Sequence, residues 1–276
     1  MAQLSEPFAS QTQASAIWNS GPTAPGGAPA SNVIRIARQD SARNPCSPRP
    51  AQRNRASRDR GVQVSRAQVQ RGEKVVRGCT GPQDSCFVLK GTASREMVLP
   101  RGARQMVGIY IRGDFVDLHA YLLNQLEHDV VALTDVAVAF VPHHDITESI
   151  LHPNINRLLW RLIAVDAAIQ RNWLASMARR QAQYRLAHFL CEQHARIKSQ
   201  GFADDVSFEL PISQATLGDL LGLSAVHMNR SLQALRKTGL VNWQGQHVTL
   251  AREQLAEMCG FEPSYLSLKR RTGSDV

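Results

Sequence analysis

Ala225, Val226, His227, Asn229 and Arg230 stand close together in a segment, Leu210 to Val241, whose apolar residues recur at helical spacing. An arginine fork can grip O6 and N7 of guanine, and an asparagine amide can pair with adenine. Ala225 and Val226 add small apolar surface of the kind that meets a thymine methyl. Arg236 and Lys237 follow, suited to phosphates or to the negative end of a helix dipole. The chemistry these types point to is recognition of base edges, not bond making.

Such side chains need a helix to carry them and a second to hold it. Ser213 can cap a first helix, with Leu217, Leu220 and Leu221 on its buried face. Gly222 can end it in a left-handed turn. Ser224 can cap the second helix, with Val226 or Met228, Leu232, Leu235 and Leu240 supporting its packing. Two short helices joined through a glycine turn make a helix-turn-helix. A turn at Gln244-Gly245 between Trp243 and Val248 predicts a two-stranded wing.

Upstream, from Leu151 to about Lys198, apolar residues keep a helical period with almost no glycine or proline after Pro153. One straight helix of that length would run about 65–70 Å, so a break is expected near Arg179–Gln181. The first half has apolar residues on more than one face and calls for a partner as well as its own domain. From Gly61 to about His144 the texture is different. Short apolar runs such as Cys86–Leu89, Gln105–Tyr110, Val130–Leu133 and Val136–Val141 alternate with glycine turns, the pattern of a small sandwich or barrel. Residues 1–60 are rich in proline, small residues and arginine, and read as a disordered basic tail.

The 276-residue chain carries a net charge of +9, which invites a polyanion partner. The distribution says more than the sum. Residues 1–66 hold nine basic and three acidic groups, and residues 153–198 hold eight and two; residues 199–276 hold seven and eight. DNA binding therefore cannot be argued from isoelectric point alone. No run of about 18 apolar residues predicts a membrane span, and no secretory pattern is visible at the start. Five irregularly spaced cysteines suggest neither a disulfide framework nor an iron–sulfur site, and a reduced cytoplasmic setting is the expectation. His119, His128, His143 and His144 offer imidazoles, but no His-x-His pair with a following carboxylate, so no metal or other cofactor is expected.

The stretch ISQATLGDLLGLSAVHMNRSLQALRKTGLV, residues 212–241, resembles the helix-turn-helix of the Crp/Fnr family in length, glycine placement and terminal Gly-Leu-Val. RGDFVDLHAYLL at 112–123 and HDVVALTDVAVAFVP at 128–142 resemble the sensor core of a subgroup of that family. The resemblance spans about residues 70–270. It implies an α+β chain: a β jelly-roll sensor at 61–152, a dimerisation helix at 153–180 and a winged helix-turn-helix at 181–276. It further implies a homodimer on a pseudo-palindromic promoter, with half-sites about 34–36 Å apart, and RNA polymerase as a protein partner. By that likeness Ala225, Val226, Asn229 and Arg230 take base-reading positions, and Ser213, Gln246 and His247 take phosphate positions beside Ser224, Arg236 and Lys237. Gly113, Asp114 and Phe115 would line an effector pocket. No lysine or arginine lies between Asp114 and Asp135 to meet a cyclic phosphate, so cyclic AMP is not the expected effector. Two other readings stand beside this one: a non-specific nucleic-acid binder acting through the basic tail, and a jelly-roll metal enzyme.

Overall fold

In the computed structural model, residues 54–55, 64–102 and 104–268 are described. The expected disordered tail lies almost wholly outside them; its exception is the two-residue strand β1, Asn54–Arg55. The described residues form two compact units. One holds most of the chain up to Trp160, and the other holds Gln105–Gly108 and everything from Arg161 onward.

The sheets are built from antiparallel strands: β2 (Ser65–Val69), β3 (Lys74–Val76), β4 (Cys79–Thr80), β5 (Asp84–Lys90), β6 (Thr92–Val98), β7 (Arg104–Ile111, whose Gln105–Gly108 is grouped with the second unit), β8 (Gln125–Leu126), β9 (Asp129–Ala132) and β10 (Val136–Pro142). One sheet runs β1-β2-β10-β5 and the other β3-β9-β6-β7, with β4 paired to β8. Inward residues of both sheets meet in one core, including Val69, Val75, Val88, Ala93, Tyr110, Val130, Val138 and Phe140. The β-roll expected from the glycine-punctuated apolar runs is thus present. Two short helices accompany it, α1 (Ala120–Leu123) and α2 (His143–Ser149).

β6 begins five residues earlier than its apolar run Met97–Leu99 suggests. Thr92, Ser94, Arg95 and Glu96 are all buried, so the strand's first half has no apolar alternation to read. Polar partners replace it. Ser94 Oγ donates to Glu96 Oε1 at 2.9 Å, and Arg104 pairs with Glu96 at 3.3 Å.

Helix α3 (Pro153–Arg179) begins at its proline, whose missing N–H costs nothing in the first turn. It buries Leu158, Leu159, Val165, Ile169 and Trp173. Trp160, Ala164, Ala167, Arg171, Leu174 and Ala178 form an exposed stripe, alternating in steps of four and three residues. That is the spacing of a helix–helix seam.

The second unit continues with α4 (Ala182–Ser199), β11 (Ser207–Glu209), α5 (Gln214–Leu221), α6 (Ala225–Lys237), β12 (Val241–Gln244), β13 (His247–Leu250) and α7 (Arg252–Cys259). β11, β13 and β12 form an antiparallel sheet in that order. Leu186, Leu190, Leu217, Leu220, Leu232, Leu235, Val248 and Leu255 are buried in this unit. Glu192 is fully buried on α4; its carboxylate accepts from Trp173 Nε1 at 3.0 and 3.1 Å and from the Tyr265 hydroxyl at 2.6 Å. Cys86, Cys191 and Cys259 are buried thiols, whereas Cys79 is disulfide-bonded, a pairing that irregular spacing does not disclose. No helix among the described residues is long and apolar enough to cross a membrane.

Candidate nucleic-acid interface

Two serine caps and one glycine turn set the geometry of the α5–α6 pair. The Ser213 hydroxyl accepts from the Thr216 amide at 3.0 Å, and the Ser224 hydroxyl accepts from the His227 amide at 3.3 Å. Between them Gly222 takes φ +62°, a left-handed conformation that glycine enters without steric cost. Gly218 lets the turn close. A Cβ there would stand 2.9 Å from the Leu223 carbonyl oxygen. The turn is therefore as tight as a helix with a side chain at this position would not permit.

α6 has one buried and one open face. Met228, Ser231, Leu232 and Leu235 are buried. Ala225, Val226, His227, Asn229 and Arg230 are all exposed, Val226 at 67 %. An isopropyl group left that bare on a helix with four well-buried neighbours suits contact with an apolar surface elsewhere. The helix contains no acidic residue, so nothing on it opposes a phosphate. Sequence reasoning left out Gln233. It is exposed, four residues after Asn229 and three after Arg230, and extends the same face. The helical period that placed Asn229 also carried that signal.

The residues expected at phosphates divide into two groups. Lys237 and Gln246 are exposed, and the Gln246 backbone carbonyl accepts from the Leu210 amide at 2.7 Å. The others have local tasks as well. Ser213 and Ser224 are the helix caps. Arg236 is half-buried, and its guanidinium donates to the Trp243 carbonyl, which fastens the end of α6 to the wing. His247 Nδ1 lies 3.0 Å from Glu209 Oε1, so a carboxylate stands beside it. The wing's β12–β13 hairpin turns at Gly245, φ +60°, and Trp243 Nε1 donates to the Gly245 carbonyl at 3.0 Å.

Residues 184–258 match the model of the Crp-like helix-turn-helix domain, and residues 66–152 match that of the cyclic nucleotide-binding domain. The chain belongs to the Crp/Fnr family of transcription regulators. The fumarate and nitrate reduction regulatory protein of Yersinia pestis is 23 % identical over 196 residues, covering 70 % of this chain and 77 % of that protein. The transcriptional activator protein FnrA of Stutzerimonas stutzeri is 26 % identical over 168 residues, covering 60 % and 68 %. Among solved structures, FixK2 from Bradyrhizobium japonicum shares the fold with a TM-score of 0.61 at 21 % identity, covering 70 % of this chain and 96 % of that one.

In this Crp/Fnr regulator the turn expected to line an effector pocket is bound up in the fold. Gly113 has φ +90° and donates its amide to the Val88 carbonyl at 2.9 Å. Asp114 is buried, and its Oδ2 accepts from the Ile111 amide at 2.8 Å. Phe115 packs edge-on against Phe87, with ring centroids 5.0 Å apart. The aspartate closes its own turn rather than presenting a free carboxylate. The charge reading of this region also needs correction. No cation lies within residues 114–135, yet Arg95 enters from β6, donating to the Val116 carbonyl at 2.7 Å and lying 4.8 Å over the Tyr110 ring.

Proposed function

We propose that this regulator binds a pseudo-palindromic promoter site in double-stranded DNA as a homodimer, with α6 of each copy in the major groove. Ala225, Val226, His227, Asn229 and Arg230 are the proposed base readers, with Gln233 added to them. Ser213, Ser224, Lys237 and Gln246 hold phosphates; Arg236 and His247 contribute to the same backbone track while keeping their bonds to the wing and to Glu209. The observation that carries this reading is the bare, acid-free face of α6 opposite a well-packed one. The exposed α3 stripe supports a second copy of the chain as partner. Recognition, not catalysis, is the role, exercised in the cytoplasm, with RNA polymerase as the neighbouring protein on the promoter.

The effector is a separate matter. The inward Asp114 and the commitment of Arg95 to Val116 and Tyr110 argue against tight binding of cyclic AMP, which titration calorimetry checks.

The test is binding-site selection from random duplexes with the full chain and with Arg230→Ala. A two-fold symmetric motif is expected, losing its preference at one base pair per half-site in the variant. A bidentate arginine contact carries about 1–3 kcal/mol of discrimination, roughly tenfold to hundredfold. Salt-sensitive binding with no motif, unchanged in the variant, would instead assign binding to the basic tail.

A further inference from the structure

The β-rich unit holds a cluster of side chains that DNA reading does not use. His119 stands at the N-terminal end of α1, and Glu127 and His128 form the short link between β8 and β9. His119 Nε2 lies 3.8 Å from Glu127 Oε2, and His128 Nδ1 lies 3.4 Å from Glu127 Oε1. The two imidazole rings have centroids 5.3 Å apart. One donor atom from each of the three residues lies within 4.8 Å of the other two.

His128 is the second observation that points to a ligand. It is 3 % exposed, and neither its Nε2 nor its Nδ1, the nitrogen that faces Glu127, has a hydrogen-bond partner among the described residues. Buried polar atoms are nearly always partnered, so such an imidazole asks for a reason.

We propose that His119, Glu127 and His128 bind one divalent transition-metal ion of the zinc class, with a coordination position left open.

Two imidazole nitrogens and one carboxylate oxygen suit zinc or its late first-row neighbours, whereas calcium and magnesium take oxygen donors almost throughout. Bond lengths of about 2.0–2.1 Å place tetrahedral donors roughly 3.3 Å apart. His119 and His128 meet different oxygens of Glu127, at 3.8 and 3.4 Å, and the three donor atoms lie within 4.8 Å of one another, so binding one ion would draw the rings together and turn the carboxylate toward it. Three protein ligands leave a fourth position for water or an exchangeable ligand. Burial is graded across the set: Glu127 is exposed, His119 half-buried and His128 buried, which gives the ion a way in. Arg95 is an adverse charge nearby. Its guanidinium is directed to the Val116 carbonyl, and Asp117 faces it electrostatically.

The spacing of these residues hides the site. His119 is eight positions from Glu127, and only the α1–β8–β9 path folds it back onto the Glu127-His128 pair. The sequence expectation of no metal rested on that spacing.

The test uses the full chain, stripped with a chelator and titrated with Co²⁺, then with Zn²⁺; DNA is not involved, so it stands independently of the promoter reading. One equivalent of Co²⁺ is expected to give the visible bands of nitrogen and oxygen ligation, and Zn²⁺ to abolish them. His119→Ala and Glu127→Ala should each raise the Co²⁺ dissociation constant at least tenfold, while His144→Ala leaves it unchanged. If His119→Ala does not fold, Glu127→Gln at the exposed position decides. Absence of the bands at one equivalent, thiolate-to-cobalt charge transfer in place of them, or undiminished binding in the folded variants would overturn the proposal.

Discussion

Arg185, on the first turn of α4, donates from Nη1 to the Leu221 carbonyl at 2.6 Å. Its Nη2 donates to the Met177 and Arg180 carbonyls at 2.9 and 3.2 Å. One guanidinium thus serves the last carbonyls of two helices, α3 and α5, which have no intrahelical donors of their own. It ties the end of the long helix to the helix that supports the DNA reader. Arg185→Ala is expected to lower the stability of this unit by about 2–4 kcal/mol, since charge-assisted bonds are worth about 1.5–3 each and are not additive. Arg185→Lys should recover less than half of that, because an ammonium cannot fork toward two helix ends. Midpoints of chemical unfolding measure both; an unchanged midpoint in the alanine variant would show that water replaces the guanidinium.

Gly218→Ala should cost stability although alanine is the better helix former. The gain from propensity is about 1 kcal/mol. Against it stands the 2.9 Å approach of the new Cβ to the Leu223 carbonyl oxygen, a backbone atom whose residue also returns its amide to the Gly218 carbonyl at 2.8 Å. Relief requires the α5–α6 turn to open, and overpacking of this kind costs about 1–3 kcal/mol. A net fall in thermal midpoint, with a fall in DNA affinity, is expected. A rise in the midpoint would mean that the turn yields freely.

The helix-turn-helix was legible because each local signal agreed with the packing. Ser213 and Ser224 cap, Gly222 turns left-handed, and the leucines face inward. The β-roll was legible where its strands are apolar. It failed at β6, whose buried half is Thr-Ala-Ser-Arg-Glu, because burial there is satisfied by hydrogen bonds and an ion pair rather than by apolar alternation. Arg95 was missed as a neighbour of the Gly113–Phe115 turn for a related reason. A charge count along 114–135 cannot register a residue that arrives from another strand. The inward turn of Asp114 depends on a hydrogen bond to Ile111, three residues back, and an acid after glycine reads the same whether it faces in or out.

His188 gives the second unit a pH dependence of defined sign. It is buried on α4, stacked with Tyr265 at a centroid distance of 6.3 Å and met edge-on by Phe261 at 5.2 Å. Burial, with Arg180 adding to it, pushes its pKa down to about 4 from an ordinary 6.5. Between those values the unfolded chain binds a proton that the folded chain refuses. Stability from this residue is therefore full above about pH 6.5, and falls as the pH drops toward 4, by at most about 1.4 kcal/mol per unit. His188→Gln should flatten the dependence by that amount. Unfolding curves of parent and variant across this window provide the check, and parallel curves would place the protonated ring in water.

The exposed stripe of α3 makes the dimer testable without DNA. Leu174 is 69 % exposed and Trp160 is 58 % exposed, in register with Ala164, Ala167, Arg171 and Ala178 on one face. Small alanines allow close approach of a second helix, and the two large apolar residues supply the area. Complete burial of a leucine side chain is worth about 1.5–3 kcal/mol, and a two-fold seam counts each residue twice. Leu174→Glu loses that area and sets two carboxylates into the seam. The monomer–dimer dissociation constant is expected to rise at least about a hundredfold, since each 1.4 kcal/mol is a factor of ten. Sedimentation equilibrium reads this directly. Affinity for the full palindrome should fall with it, while the weak affinity for a single half-site stays, because α6 is untouched. A variant that dimerises as the parent does would remove this stripe from the interface.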